Sequence, residues 1–214
     1  MIKHVIFDVD GTIWNSTPIV AEGWRRAVSE TGYSKTYVTP ELLQKEFGKP
    51  MDVIADDIFG DVESPEKRNE LLDKCCEYEH LLLNENEKDI TYPGMRECME
   101  KLSESYQLHI VSNCQCGYIE LVMKKNEMTH LFKDFDCFGN TGTCKGETIK
   151  LLMERNGISK EEAVYVGDTL GDKEAADMAE IPFVFAEYGF GQVENAAGTI
   201  KGFDELPAVI QNIN

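Results

Sequence analysis

The sequence predicts an α/β fold: a parallel sheet with helices on both faces, interrupted by an inserted α-helical segment. Three observations lead there. Short β-branched and aromatic runs such as Val5-Ile6-Phe7 have the continuous apolar character of strands buried on both faces. From Tyr92 onward such runs alternate with segments of helical periodicity. Between about Pro18 and Asp89 helical spacing occurs with almost no strand signal.

The elements follow in order. The first strand runs into Asp8-Val9-Asp10-Gly11-Thr12. Ile19-Val20, Trp24 and Ala27-Val28 then recur at helical intervals. Pro40-Glu41-Leu42-Leu43 starts a second helix with Thr39 as its N-cap. Gly48-Lys49-Pro50 breaks it, and helical periodicity resumes over 51–58. Ser64-Pro65-Glu66-Lys67 opens a longer helix reaching about Leu83. Tyr92-Pro93-Gly94 marks a boundary. Beyond it the pattern predicts helix over 95–103, strand over 108–113, helix over 119–125 and a short strand over 135–138. A helix over 147–156 closes on Gly157. Residues 163–168 form a buried strand ending in an acid, 173–179 a helix, 182–185 the last strand, and 203 onward a closing helix. The expected architecture is a Rossmann-like core at 1–15 and 90–214, with a helical domain at 16–89.

With 214 residues the chain can bury one sizeable core plus a small accessory domain. Hydrophobic content of 42% with 28% charged residues excludes a disordered chain. Against 21 Lys and Arg stand 39 Asp and Glu, a net charge of −18 that repels nucleic acid and anionic membranes. An anionic substrate therefore needs a local cation. No stretch is apolar enough to span a bilayer, and the N-terminus enters a strand at once, so a cytoplasmic protein is expected. The seven cysteines fit no zinc spacing and read as reduced thiols behaving as small hydrophobes.

Asp8, Ser112-Asn113 and Asp168 each stand at the end of a predicted strand. In a parallel sheet those ends share one edge, where open α/β sheets bind ligands. Lys145, at a helix start, can reach the same edge. Two carboxylates as close as Asp8 and Asp10 repel unless a cation neutralises them. Carboxylates, a hydroxyl and an ammonium together suit phosphoryl transfer, where positioning and charge stabilisation supply most of the catalysis. Taken singly, each residue also suits a blander role: Asp8-Val9-Asp10-Gly11 a solvated turn, Lys145 a surface lysine, Asp172 an N-cap.

Phe7-Asp8-Val9-Asp10-Gly11-Thr12, Val111-Ser112-Asn113, Lys145 and Gly167-Asp168-Thr169-Leu170-Gly171-Asp172 resemble, in order, the four motifs of the haloacid dehalogenase superfamily. Tyr92-Pro93-Gly94 and Glu187-Tyr188-Gly189-Phe190-Gly191 are similar to its phosphoglycolate-phosphatase-like branch, and the insert lies where the family places a C1-type cap. The resemblance implies Asp8 as nucleophile and Asp10 as acid and base. It implies that Ser112 contacts the transferring phosphoryl, with Gly11, Thr12 and Asn113 beside it, and that Lys145 neutralises its charge. It implies Mg²⁺ held by Asp8, Asp168 and the carbonyl of Asp10, with Asp172 in an outer position. Two positions depart from the pattern: Asn15 replaces a common Asp, and Glu180 stands where the branch usually has Gly.

Asp10 argues against a dehalogenase, which lacks an acid there. The absence of His from 16–28 argues against a sugar-phosphate mutase. The expected activity is Mg²⁺-dependent hydrolysis of a small phosphate monoester, phosphoglycolate-like, through an aspartyl-phosphate. Nucleotides, sugar phosphates and pyrophosphate remain alternative substrates, and Lys49 is a candidate for substrate contact. A non-catalytic binding or regulatory protein on the same fold is the alternative of another class. Such a protein would be expected to lose Asp8, Asp10 or Lys145, and this chain keeps all three. The expected partner is a small phosphorylated metabolite, and the expected state a monomer or weak homodimer.

Overall fold

The computed structural model of the chain describes residues 1–213. Strand β1 (His4–Phe7) is buried throughout. Helices α1 (Thr17–Thr31), α2 (Pro40–Glu46), α3 (Met51–Ile58) and α4 (Pro65–Glu85) follow without an intervening strand. From α5 (Met95–Ser103) the chain alternates through β2 (Gln107–Ser112), α6 (Tyr118–Lys125) and β3 (Phe132–Cys137). A single turn, α7 (Phe138–Thr141), leads to α8 (Lys145–Asn156), β4 (Ala163–Gly167), α9 (Leu170–Met178), β5 (Phe183–Ala186), β6 (Gly198–Ile200) and α10 (Leu206–Asn212).

The strands form one sheet in the order β3-β2-β1-β4-β5-β6. Every pairing is parallel. The chain winds outward from β1 through β2 and β3, then restarts at β4 on the other side of β1. β1 and β4 are therefore neighbours whose connections leave in opposite directions. It is beyond the carboxyl ends at such a reversal that open α/β sheets place their ligands.

Alternation along the strands builds two apolar faces. Ile6, Val111, Tyr165, Phe183 and Phe185 pack with Ile149, Leu152 and Met153 of α8 and with Ala175 and Ala176 of α9. Val5, Phe7, Ile110, Val164 and Val166, fully buried as well, occupy the intervening positions and face the other way. Each such side chain contributes roughly 1.5–3 kcal/mol of burial. This is the predicted α/β fold. It differs from the sequence reading in detail. β3 begins at Phe132, and Phe138 already belongs to α7. α9 starts at Leu170 because Thr169 caps it, accepting from Asp172 N–H through its side chain. A sixth strand, β6, follows the one read as last. Its three residues are too few to show alternation, and pairing with β5 holds them.

The chain divides into two compact units, one made of residues 1–15 with everything from Thr91 onward, the other of Ser16–Ile90. The second is all helix. Its α1 packs along α4, with Trp24 fully buried, stacked on Phe59 and donating Nε1–H to Glu79 Oε2 at 3.0 Å. Thr39 caps α2 by accepting the Leu42 N–H. Among the described residues no helix is long and apolar enough to cross a membrane. All seven cysteines are free thiols; Cys75, Cys98, Cys114 and Cys137 are buried.

Candidate active site

Sheet register delivers the first three residues. Phe7 pairs with Ile110 of β2 and Val166 of β4. The Asp8 N–H continues that register by donating to Val166 O at 2.9 Å. Asp8 thus leaves the carboxyl end of β1, with Ser112 ending β2 on one side and Asp168 following β4 on the other. Two helix starts deliver the rest. Lys145 is the first residue of α8. Asp172 sits in the first turn of α9, in a capping box with Thr169.

These residues meet. Lys145 Nζ lies 2.9 Å from Asp8 Oδ1 and 2.5 Å from Asp172 Oδ1, all three side chains buried. Asp172 Oδ2 accepts the Asp168 N–H (3.1 Å), the Thr169 N–H (2.9 Å) and the Thr169 hydroxyl (2.7 Å). Asp168 accepts the Thr12 hydroxyl (3.0 Å) and the Phe190 N–H (2.7 Å). Asp10 Oδ1 accepts Trp14 Nε1–H (3.0 Å) and the Tyr118 hydroxyl (2.8 Å).

Electrostatics gives the cluster its character. Asp8, Asp168 and Asp172 each offer an oxygen within 4.8 Å of the others, with Lys145 the cation bonded to two of them. Burial pushes the Asp8 carboxyl up to about 7 against the pull of Lys145. Burial, then the charges of Asp172 and Asp8, push Asp168 well above the usual carboxylate range. Burial also works against the Lys145 ammonium, but Asp172 and Asp8 outweigh it and raise its pKa. Ionised together, three buried carboxylates beside one ammonium would carry an excess of negative charge for a cation to offset. The oxygen donors are hard, so the cluster fits a hard divalent cation. Gly11 and Gly189 let the backbone pack directly against Asp168: a Cβ on either would collide with that side chain, and Gly11 has φ +86°.

Other expected residues have partners of their own. The Gly11 N–H, expected at the phosphoryl group, donates to Trp14 O at 2.9 Å, closing its own turn. The Thr12 hydroxyl is committed to Asp168. Lys49 lies in the helical unit, its ammonium paired with Glu46 (2.5 Å) and Asp57 (2.8 Å). Asn113 follows Ser112 at the end of β2. Sequence reasoning missed Trp14, Tyr118, Thr169 and Phe190. Thr169 was legible as a Thr-x-x-Asp cap. Trp14 and Tyr118 carry no local signal, since their roles exist only once the loop and α6 have come together.

A family described as haloacid dehalogenase-like hydrolase matches residues 5–186. The phosphoglycolate phosphatase of Aliivibrio fischeri is 26% identical over 208 residues, covering 90% of this chain and 87% of its own length. Among solved structures, a haloacid dehalogenase-like hydrolase from Streptococcus pneumoniae superposes with a TM-score of 0.84 at 20% identity, covering 98% of this chain and 99% of its own. A predicted phosphoglycolate phosphatase from Haemophilus somnus superposes at 0.83 with 21% identity, each chain 98% covered.

Proposed function

The chain belongs to the haloacid dehalogenase-like hydrolase family, and on that premise we propose that it is a Mg²⁺-dependent phosphatase. Its substrate is a small phosphate monoester of the phosphoglycolate kind, hydrolysed through an aspartyl-phosphate. One observation carries this reading. A buried carboxylate at a strand end, Asp8, is bonded to a buried ammonium, Lys145, and shares its surroundings with two further carboxylates. The relatives named phosphoglycolate phosphatase support this choice of substrate class.

In this reading residues 1–15 and 90–214 form the catalytic core, and 16–89 the cap that selects the substrate. A carboxylate oxygen of Asp8 attacks phosphorus as the bond to the leaving oxygen breaks. Asp10 gives its proton to that oxygen. Asp10 then takes a proton from the water that attacks the phosphorus, and the bond to Asp8 breaks to regenerate the carboxylate. Lys145 holds Asp8 in place and offsets phosphoryl charge. Ser112 and the Asn113 N–H bind the phosphoryl oxygens. Asp8, Asp168 and the Asp10 carbonyl would hold Mg²⁺, with Asp172 behind them; when bound, the ion neutralises charge shared by the nucleophile and the phosphoryl group.

A panel of phosphorylated metabolites, assayed with and without Mg²⁺, tests the reading. Metal-dependent release of phosphate, highest for small carboxylated esters, is expected. No release from any ester would overturn it.

A further inference from the structure

Two donors hold Asp10 in a way the chemistry above does not use. Trp14 Nε1 and the Tyr118 hydroxyl both reach the same oxygen, Oδ1, at 3.0 and 2.8 Å. Both rings are buried, 2% and 1% exposed. They brace each other edge to face, centroids 5.9 Å apart at 70°. The Asp8–Trp14 turn fixes Trp14, whose carbonyl accepts the Gly11 N–H and whose own N–H donates to Val9 O. Its backbone also bridges Thr91. Tyr118 is the first residue of α6, placed by Gly117 in the left-handed region at φ 83°.

Two donors on one carboxylate oxygen use its accepting capacity. A proton carried by the group is thereby directed to the other oxygen, Oδ2. In the protonated acid, exchanging the two oxygens by rotation would set the hydroxyl against both donors. The acid is preorganised: its transferable proton sits on a fixed atom.

We propose that Trp14 and Tyr118 are positioning residues for proton transfer, anchoring Asp10 Oδ1 so that Oδ2 delivers the proton and later receives it. This rests on the phosphatase reading. As phosphorus leaves, the P–O electron pair stays on the departing oxygen, the Oδ2–H bond breaks and a new O–H bond forms on that oxygen.

Leaving-group dependence separates positioning from structural support. The value of kcat/KM covers steps through phosphoryl transfer. p-Nitrophenolate departs unprotonated, whereas the alkoxide of an alkyl phosphate such as phosphoglycolate needs the proton. Tyr118→Phe removes only the hydroxyl, and Trp14→Phe removes the N–H. In each, kcat/KM for the alkyl ester should fall about tenfold or more, while that for p-nitrophenyl phosphate stays within about threefold. Parallel losses on both esters, or no loss on either, would overturn the proposal. A crystal structure of the double variant gives a readout independent of turnover: the Asp10 carboxylate should turn, and an unmoved carboxylate would overturn the assignment. A wild-type chain inactive on both esters would defeat the phosphatase reading instead, and the Asp10 orientation would still decide the positioning role.

Discussion

Lys145 Nζ stands 2.9 Å from Asp8 Oδ1 across 137 residues of sequence, with both side chains 3% exposed. The same ammonium reaches Asp172. Removing one partner of a buried ionic set leaves uncompensated charge. Lys145→Met should lower the unfolding free energy by about 3–5 kcal/mol, read from urea denaturation. It should also cut kcat by about 10²- to 10³-fold, the scale of losing one charge-stabilising donor.

Asp168 accepts bonds from Thr12 and Phe190 and pays for its burial beside two other carboxylates with a raised pKa. A folded-state pKa above the unfolded one means the folded protein binds more protons. Its stability contribution is therefore full at low pH and is lost as pH rises from the ordinary carboxyl range toward the raised folded value. Without metal, Asp168→Asn should melt above the wild type at pH 8, and the gap should close in acid. With Mg²⁺ at about a hundred times its Kd, the wild type should gain about 2.7 kcal/mol and the variant little. Thermal melts across pH and Mg²⁺ concentration check both signs.

Acid should act on the sheet through His109. This fully buried histidine lies 3.1 Å, Nε2 to Nδ1, from His4. Burial first, then the neighbouring His4, lowers its pKa to about 4. A lowered folded-state pKa means that the unfolded chain binds more protons as pH falls from about 6.5 to about 4. Across that window His109 should remove about 3 kcal/mol of stability. His109→Gln keeps a polar group near His4 and does not titrate. Denaturation midpoints measured from pH 7 to pH 4 should fall less steeply in that variant.

Glu180 departs from the glycine of the family's branch, and its backbone shows why glycine suits the position. Its φ is +57°, at the C′ position of α9. There the Ile181 N–H reaches Ala176 O and the Glu180 N–H reaches Asp177 O, a Schellman arrangement. A non-glycine residue is disfavoured in this left-handed region. Glu180→Gly should raise stability by about 0.5–1 kcal/mol, since the exposed pair it loses with Lys160 is worth little. Calorimetric Tm values check it.

The α/β architecture was legible because apolar runs, helical spacing and caps each reported the same alternation. The strand-end acids were legible for the same reason: a parallel sheet carries Asp8 and Asp168 to one edge wherever they lie in the chain. β6 was not, because three residues show no period and its partner β5 defines it. Nor was the hold on Asp10, since Trp14 and Tyr118 meet it only in three dimensions. The partners of Lys49, a candidate for substrate contact, were not legible either: Asp57, eight residues on, pairs with it only once the helical unit has folded.

Acid quench during turnover of a phosphate ester, followed by peptide mass analysis, tests the proposed covalent role of Asp8 most directly. A phosphoryl group on the peptide bearing Asp8, and none on Asp8→Asn, is the expected result. Sustained Mg²⁺-dependent turnover by Asp8→Asn, or label on a different residue, would contradict the aspartyl-phosphate.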